Sequence, residues 1–107
     1  MAKDIRENEF NQEVILSDQP VLIDFYAPWC GPCKLVAPML EDIAKDRTDL
    51  KIVKVDVDQA PQLAQQHRVM SVPTLVLYNK GQVIGTWVGL RPKPLLLNEI
   101  SGALAKA

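Results

Sequence analysis

The chain has two cysteines and one histidine among its 107 residues, which leaves few ligands for a metal centre. Structural zinc normally takes four Cys or His ligands, and an iron–sulfur cluster takes four cysteines. Either site would therefore need carboxylates or a second chain, and we expect no bound metal. Two cysteines are also too few for the disulfide framework of a small secreted domain.

Charge imbalance and long apolar segments are also missing. Twelve Lys and Arg residues against thirteen Asp and Glu give a formal net charge of −1, and the basic residues are scattered. This composition offers no positive surface for nucleic acid or an anionic membrane. No run approaches the roughly 20 apolar residues of a membrane span, and residues 1–6 lack the apolar core of a signal peptide. We expect a cytoplasmic protein with neither partner.

What remains is the composition of a globular protein. Hydrophobic residues make up 48% of the chain and charged residues 23%, which is ordinary for a folded domain. A chain of this length buries roughly 60 to 70% of its unfolded surface, enough for one core. We predict that residues 1–107 form a single domain.

Hydrophobic periodicity predicts alternating helices and strands, then a hairpin and a last helix. The predicted elements are an edge strand or arm near Ile5, a helix over 8–16 capped by Asn8, a buried strand over 21–26, a helix from the cysteines to 46, a strand over 51–57, a short helix to 67 capped by Asp58, strands over 74–78 and 83–88, and a helix starting at Pro94. This order predicts an α/β protein with one mixed sheet and helices on both faces.

Both cysteines lie in Trp29-Cys30-Gly31-Pro32-Cys33, where a predicted strand gives way to a predicted helix. Inside a helical turn their Cβ atoms would be roughly 5 to 6 Å apart, whereas a disulfide needs roughly 3.8 Å. Cys30 should therefore lie at the helix start, where Gly31 and Pro32 form a spacer that tolerates the tight entry. The helix dipole there favours a thiolate. A metal site and a static disulfide stay possible, but the spacing favours redox chemistry.

The redox interpretation gives the two thiols different roles. A cysteine with its ordinary pKa of about 8.5 is only slightly ionised at neutral pH, so a lowered pKa raises its reactivity. We predict that Cys30, nearer the surface, attacks a client disulfide. Cys33, one turn deeper, would then resolve the mixed disulfide and release the reduced client.

Two charged residues interrupt otherwise apolar strands. Burial of Asp24 would raise its pKa and make it a candidate base at neutral pH, although carboxylates at strand ends also face solvent. Lys54 taken alone is typical of a surface lysine whose stem packs on apolar neighbours.

The chain closely resembles the thioredoxin family. The resemblance covers essentially all of the sequence and is carried by residues 29–33, by Asp24-Phe25-Tyr26-Ala27 and by Val72-Pro73-Thr74. It implies the thioredoxin fold, a central mixed parallel and antiparallel sheet flanked by helices on both faces. It also implies a protein disulfide reductase with a redox-active Cys30–Cys33 disulfide and no tightly bound cofactor.

The resemblance implies roles for further residues. Asp24 stands where thioredoxins have a buried aspartate that assists proton transfer at the second cysteine, and Lys54 would lie beside it as a modulator. Pro73 stands where the family has a cis-proline facing the cysteines. The main chain of Val72 would then be free to pair with an extended client peptide.

A client-binding groove is implied around the cysteines. Trp29 would be a contact residue if it is exposed, although it could equally pack inside, and Gly89 would let a client backbone approach closely. The candidates are Trp29, Val57, Ser71, Val72, Pro73, Val88, Gly89 and Leu90. Tyr26, Pro28 and Trp87 depart from common family residues, which leaves client preference and redox potential open.

The resemblance also implies partners. The disulfide would be reduced again by a thioredoxin reductase that draws on NADPH, and clients would include enzymes such as ribonucleotide reductase and methionine sulfoxide reductases. We expect a monomer that takes part in electron transport and cell redox homeostasis. Two alternatives stay open, a thiol oxidase or isomerase with the same fold and a non-catalytic binding subunit, but the Gly31-Pro32 spacer favours the reductase.

Overall fold

A computed structural model describes residues 2–107 of the chain. Its strands are β1 (Lys3–Asp4), β2 (Val21–Tyr26), β3 (Lys51–Asp56), β4 (Thr74–Asn79) and β5 (Gln82–Val88). Its α-helices are α1 (Gly31–Asp46), α2 (Pro61–Gln66) and α3 (Lys93–Lys106). No helix within residues 2–107 combines the length and apolar character needed to cross a lipid bilayer.

The strands form one mixed sheet in the order β1-β3-β2-β4-β5. Strands β1, β3 and β2 are parallel, whereas β4 runs antiparallel to β2 and β5 antiparallel to β4. The first five residues of β2 are completely buried, as an apolar run with a single carboxylate predicts for a central strand covered on both faces. The mixed sheet predicted from the order of the elements is confirmed.

Alternation along the strands divides the core into two layers. One layer contains Ile23, Phe25, Val53 and Val55, packed with Leu63 of α2. The other contains Leu22 and Ile52, packed with Val36, Leu40 and Ile43 of α1 and Leu96 and Ile100 of α3. Because Asp24 follows Leu22 by two positions, its carboxylate points to the layer that α1 covers, and so toward the cysteines.

The first helical segment differs from the prediction. Instead of an α-helix over 8–16, a 3-10 turn at Glu7–Glu9 is followed by a π-helical stretch at Asn11–Ile15. The cap is Arg6 and not Asn8, because the side chain of Glu9 accepts a hydrogen bond from the Arg6 backbone N–H at 2.9 Å. That contact sets the start of the segment two residues earlier than predicted.

The cap predicted for α2 was also wrong. Ala60, not Asp58, occupies the N-cap position. Glu7 supplies the missing acceptor, since its Oε2 accepts hydrogen bonds from the backbone N–H groups of Gln62 at 2.8 Å and Leu63 at 3.1 Å. A carboxylate at a helix start is favoured by the dipole as well as by the hydrogen bonds. The Glu7 carboxylate lies 55 residues before Gln62 in the sequence, so no local pattern predicts this contact.

Candidate active site

The two cysteines lie where β2 passes into α1. Cys30 is the N-cap residue of α1, with extended backbone angles (φ −88°, ψ 116°), and Pro32 lies in the first turn. A disulfide joins Cys30 to Cys33, with Cα atoms 5.3 Å apart. The backbone N–H of Cys33 also donates to Cys30 Sγ at 3.2 Å. This is the position at the mouth of the helix that the spacing predicted.

The two cysteines do not differ in burial as expected. Cys30 is 4% exposed and Cys33 5% exposed, because the Cys30 side chain folds back over the first turn of α1. What separates them is their surroundings. Cys30 Sγ lies 3.6 Å from the carbonyl oxygen of Val72, whereas Cys33 lines a small cavity with Asp24.

Asp24 is a carboxylate at the centre of the sheet with 0% exposure. Neither of its oxygens accepts a hydrogen bond from any residue in the range 2–107. Burial raises the pKa of Asp24 from its usual 3.8 to about 6, opposed by the charge of Lys54 and aided by that of Asp4. At neutral pH the group is therefore mostly ionised and able to accept a proton.

Lys54 is the partner of Asp24 in the β2–β3 register. Its ammonium nitrogen lies 4.6 Å from the centre of the Tyr26 ring. Together with Asp24, Cys33 and Ala37, these residues line the cavity, whose volume is about 110 Å³. The structure thus brings together the two cysteines and both charged candidates from the sequence.

Trp29 stands out from the surface beside the cysteines and is 71% exposed. Its indole N–H donates to Asp58 Oδ2 at 3.0 Å, which fixes the orientation of the ring. The alternative in which Trp29 packs inside the protein is excluded. Asp58 was not predicted in this role, because no signal near either residue indicates a contact between positions 29 and 58.

A groove of about 160 Å³ runs beside Trp29. Its lining residues are Trp29, Val57, Val69, Met70, Ser71 and Val72. Four of these residues were predicted from the sequence, whereas Val69 and Met70 were not. Met70 is 92% exposed, and an apolar residue next to Ser71-Val72 in an irregular segment was the available signal.

The remaining groove candidates are Pro73, just before β4, and Val88, Gly89 and Leu90, at the end of β5 and immediately after it. The Val72–Pro73 peptide bond is cis, as the resemblance implied. The carbonyl oxygen of Pro73 accepts a hydrogen bond from the N–H of Gly89 at 2.8 Å, which joins the two segments. Gly89 has φ +86° and open space where a Cβ would project, while Val88 and Leu90 are 62% and 51% exposed.

Comparison with known proteins decides the family. The thioredoxin family model matches residues 1–102. This chain belongs to the thioredoxin family. It is 48% identical over 98 residues to the thioredoxin of Mycobacterium tuberculosis, which covers 91% of this chain and 84% of that protein. It is 45% identical over 101 residues to thioredoxin 1 of Synechococcus elongatus, which covers 94% of each.

Family membership gives the chemistry of the cysteine pair. Thioredoxins are thiol-disulfide oxidoreductases that carry no bound cofactor, so the Cys30–Cys33 disulfide is the redox-active group and the chain is a protein disulfide reductase. The chain is also 43% identical over 99 residues to a bifunctional thioredoxin reductase/thioredoxin of Mycobacterium leprae. That match covers 92% of this chain but 22% of the longer protein.

The single histidine of the chain lies away from the cysteines. His67 ends α2 and is half-buried, with its ring centre 5.0 Å from that of Phe25 in the layer opposite α1. Across residues 2–107, no group of three or more His, Cys, Asp or Glu side chains is arranged to hold a metal ion.

Proposed function

We propose that Cys30 is the attacking thiol of this disulfide reductase and that Cys33 is the resolving thiol. The Cys30 thiolate attacks one sulfur of a client disulfide, and the other client sulfur leaves as a thiolate. Cys33 then attacks Cys30 Sγ, which forms the protein disulfide and releases the second client thiolate. The client gains two electrons, and the reductase loses the same two.

The observation that carries this assignment is the placement of Cys30 at the N-cap of α1. Its sulfur accepts the Cys33 N–H at 3.2 Å, and the same contact in the reduced protein would stabilise a thiolate. The positive end of the helix dipole acts in the same direction. Cys33 lies inside the first turn, with its backbone N–H already committed to Cys30, and lacks this stabilisation.

We assign to Asp24 the removal of the Cys33 proton before the resolving step. Both groups line the same cavity of about 110 Å³, which has room for water at about 30 Å³ a molecule. A water in this cavity would therefore relay the proton from Cys33 to Asp24. With the pKa of Asp24 at about 6, resolution should slow as the pH falls through that value. Lys54 would modulate this step by favouring the ionised carboxylate.

The groove beside Trp29 is the proposed client-binding surface. An extended client segment would pair with the main chain of Val72, whose carbonyl lies 3.6 Å from Cys30 Sγ, and so would carry its disulfide to that sulfur. The proposed contact residues are Trp29, Val57, Ser71, Val72, Pro73, Val88, Gly89 and Leu90. Apolar side chains that flank a client cysteine would cover the exposed indole of Trp29.

The wider assignment follows the family. We propose a monomeric single domain of the cytoplasm over residues 1–107, reduced by a thioredoxin reductase that draws on NADPH and active in electron transport. The bifunctional relative supports a thioredoxin reductase as the partner, because thioredoxin reductase and thioredoxin are named together in that one protein. Ribonucleotide reductase and methionine sulfoxide reductases are candidate clients.

Trapping the mixed disulfide tests the assignment of the two thiols. Reduced Cys33→Ser protein, incubated with a disulfide-bonded client, should accumulate a covalent adduct through Cys30 that dithiothreitol releases. The matched Cys30→Ser protein should form at least about tenfold less adduct. An adduct formed mainly through Cys33 would reverse the assignment, and no adduct with either variant would favour a non-catalytic binding subunit.

A separate test addresses Asp24. The Asp24→Asn protein should turn over a disulfide client more slowly at pH 7 and should lack the rise in rate near pH 6 that we expect for the original protein. An unchanged rate and pH profile would remove Asp24 from the mechanism and leave the roles of the cysteines intact.

A further inference from the structure

Three charged residues form one row across the parallel part of the sheet. Asp4 of β1 is the register partner of Lys54 of β3, and Lys54 is in turn the partner of Asp24 of β2. Register partners in adjacent parallel strands project from the same face. Lys54 therefore lies between two carboxylates, one exposed at the sheet edge and one buried.

Tyr26 spans this row. It follows Asp24 by two positions on β2 and so projects from the same face. Its hydroxyl donates to Asp4 Oδ1 at 2.6 Å, reaching over β3 to the edge strand. The Lys54 ammonium lies 4.6 Å from the ring centre, within the range of a cation–π contact. The hydrogen bond to Asp4 thus positions the Tyr26 ring, and the cation–π contact with that ring positions the Lys54 ammonium.

Lys54 does not form an ion pair with Asp4 or with Asp24. Among the residues the structure describes, it takes part in no ion pair, although five other pairs are formed. Asp24 has both oxygens without a hydrogen-bond partner inside the same part of the chain. The ammonium is held on the tyrosine ring, within electrostatic reach of the buried carboxylate but not in contact with it.

We propose that Asp4 and Tyr26 are positioning residues of the dithiol reaction, whose hydrogen bond holds Lys54 on the Tyr26 ring and so keeps Asp24 able to take up and release a proton. This inference rests on the proton-transfer role proposed above for Asp24. A direct Lys54–Asp24 ion pair would favour the ionised carboxylate so strongly that its protonation at neutral pH would be suppressed.

The groups around Asp24 fix the sign of the expected effects. Lys54 of β3 favours the ionised form, and Asp4 of β1 disfavours it. Cys33 and Lys34 of α1 line the same cavity, Cys33 being uncharged in the disulfide form. Burial and the hydrogen bond to Asp4 raise the pKa of Tyr26, so it stays a neutral donor throughout the working pH range. Leu75, which is the register partner of Asp24 on β4, does not titrate.

The test is a carboxyl-carbon NMR titration of Asp24 in the oxidised protein at low salt. Tyr26→Phe keeps the ring but removes its bond to Asp4, with no change of charge. Lys54 should then move toward Asp24, and the Asp24 midpoint should fall by about 0.5 to 1 pH unit. Asp4→Asn should lower the midpoint further, because it also removes the negative charge that opposes ionisation.

A double-variant comparison isolates the action through Lys54. In a Lys54→Gln background the Asp24 midpoint should rise, and adding Tyr26→Phe should then change it no further. Tyr78→Phe is the matched control, since it removes a tyrosine hydroxyl in the opposite core layer and should leave the Asp24 titration unchanged.

Two results would overturn the inference: an unchanged Asp24 midpoint in Tyr26→Phe, or an equal shift with and without Lys54. If Tyr26 had only a structural role, Tyr26→Phe would lower the stability of the protein, and the Asp24 midpoint would still give one of these two results. The titration needs no client and no turnover. If Asp24→Asn turned over normally, the role of Asp24 in the reaction would fail while the positioning of Lys54 would still be read from the midpoint.

Discussion

Replacing Asp24 by asparagine should stabilise the folded protein at neutral pH. Asp24 is completely buried, and neither carboxylate oxygen accepts a hydrogen bond from the described residues 2–107. At pH 7 the folded protein must nevertheless hold this group largely as an anion, which burial makes unfavourable. Asparagine has nearly the same shape and cannot ionise, so the substitution removes that cost.

The size of the effect follows from the pKa of Asp24. The rise from 3.8 to about 6 is about 2 units, and at 1.36 kcal/mol per unit it corresponds to about 3 kcal/mol at pH 7. A buried amide with unsatisfied hydrogen bonds takes back about 1 kcal/mol or more. We therefore expect Asp24→Asn to add about 1 to 2 kcal/mol to the free energy of unfolding at pH 7.

The same pKa shift predicts how the stability difference between the two proteins depends on pH. Because the folded pKa is raised, the folded protein keeps a proton between about pH 4 and 6 that the unfolded chain has already released. The unfolding free energy of the original protein should fall as the pH rises through this window. The asparagine variant lacks this fall, so its advantage should be complete above about pH 6 and should be lost by about pH 4, where the cost of the buried amide leaves the variant slightly less stable.

Guanidinium chloride unfolding of the oxidised proteins at about pH 4, 5.5 and 7 measures this difference. Asp42→Asn is the matched control, since Asp42 is exposed on α1 and its replacement should give no comparable pH-dependent gain. A stability difference between the original and Asp24→Asn proteins that stays constant across this range would refute the raised pKa of Asp24.

The remaining predictions concern packing and capping. Glu7→Ala should lower the free energy of unfolding by about 1 kcal/mol, because two backbone N–H groups of α2 lose their acceptor, whereas replacing the exposed Asn8 by alanine should change it by less than half as much. Gly85→Ala should cost about 1 to 3 kcal/mol in the same denaturant assay, because the added Cβ would meet the Trp87 ring at 2.6 Å. Gly102→Ala meets nothing within 4 Å on an exposed helical position and should instead stabilise by about 0.5 to 1 kcal/mol; equal effects of the two glycine substitutions would contradict the packing argument.

Features set by neighbouring residues were predictable from the sequence. The run over 21–26 predicted a fully covered central strand with one carboxylate in it, and Asp24 lies there. The two-residue spacer predicted that Cys30 starts a helix, and it is the N-cap of α1. Both inferences need only the period of a strand or the geometry of one helical turn, which the order of residues encodes directly.

Features set by contacts between distant segments were not predictable in this way. Glu7 caps α2. Asp58, which the local sequence predicted as that cap, instead accepts a hydrogen bond from the Trp29 indole and orients its ring. The equal burial of Cys30 and Cys33 depends on how the first side chain folds over its helix. Such contacts arise only once the sheet has brought the segments together.

The equilibrium reduction potential of the Cys30–Cys33 pair tests the central claim most directly. Titration against defined thiol–disulfide buffers, read by the fraction of free thiols, gives the value without any client or reductase. A protein disulfide reductase of this kind should have a potential at or below about −220 mV, where the dithiol donates electrons under reducing conditions. A potential more positive than about −180 mV would contradict the claim, because the dithiol would then be the more stable form and the protein would be suited to forming or rearranging disulfides.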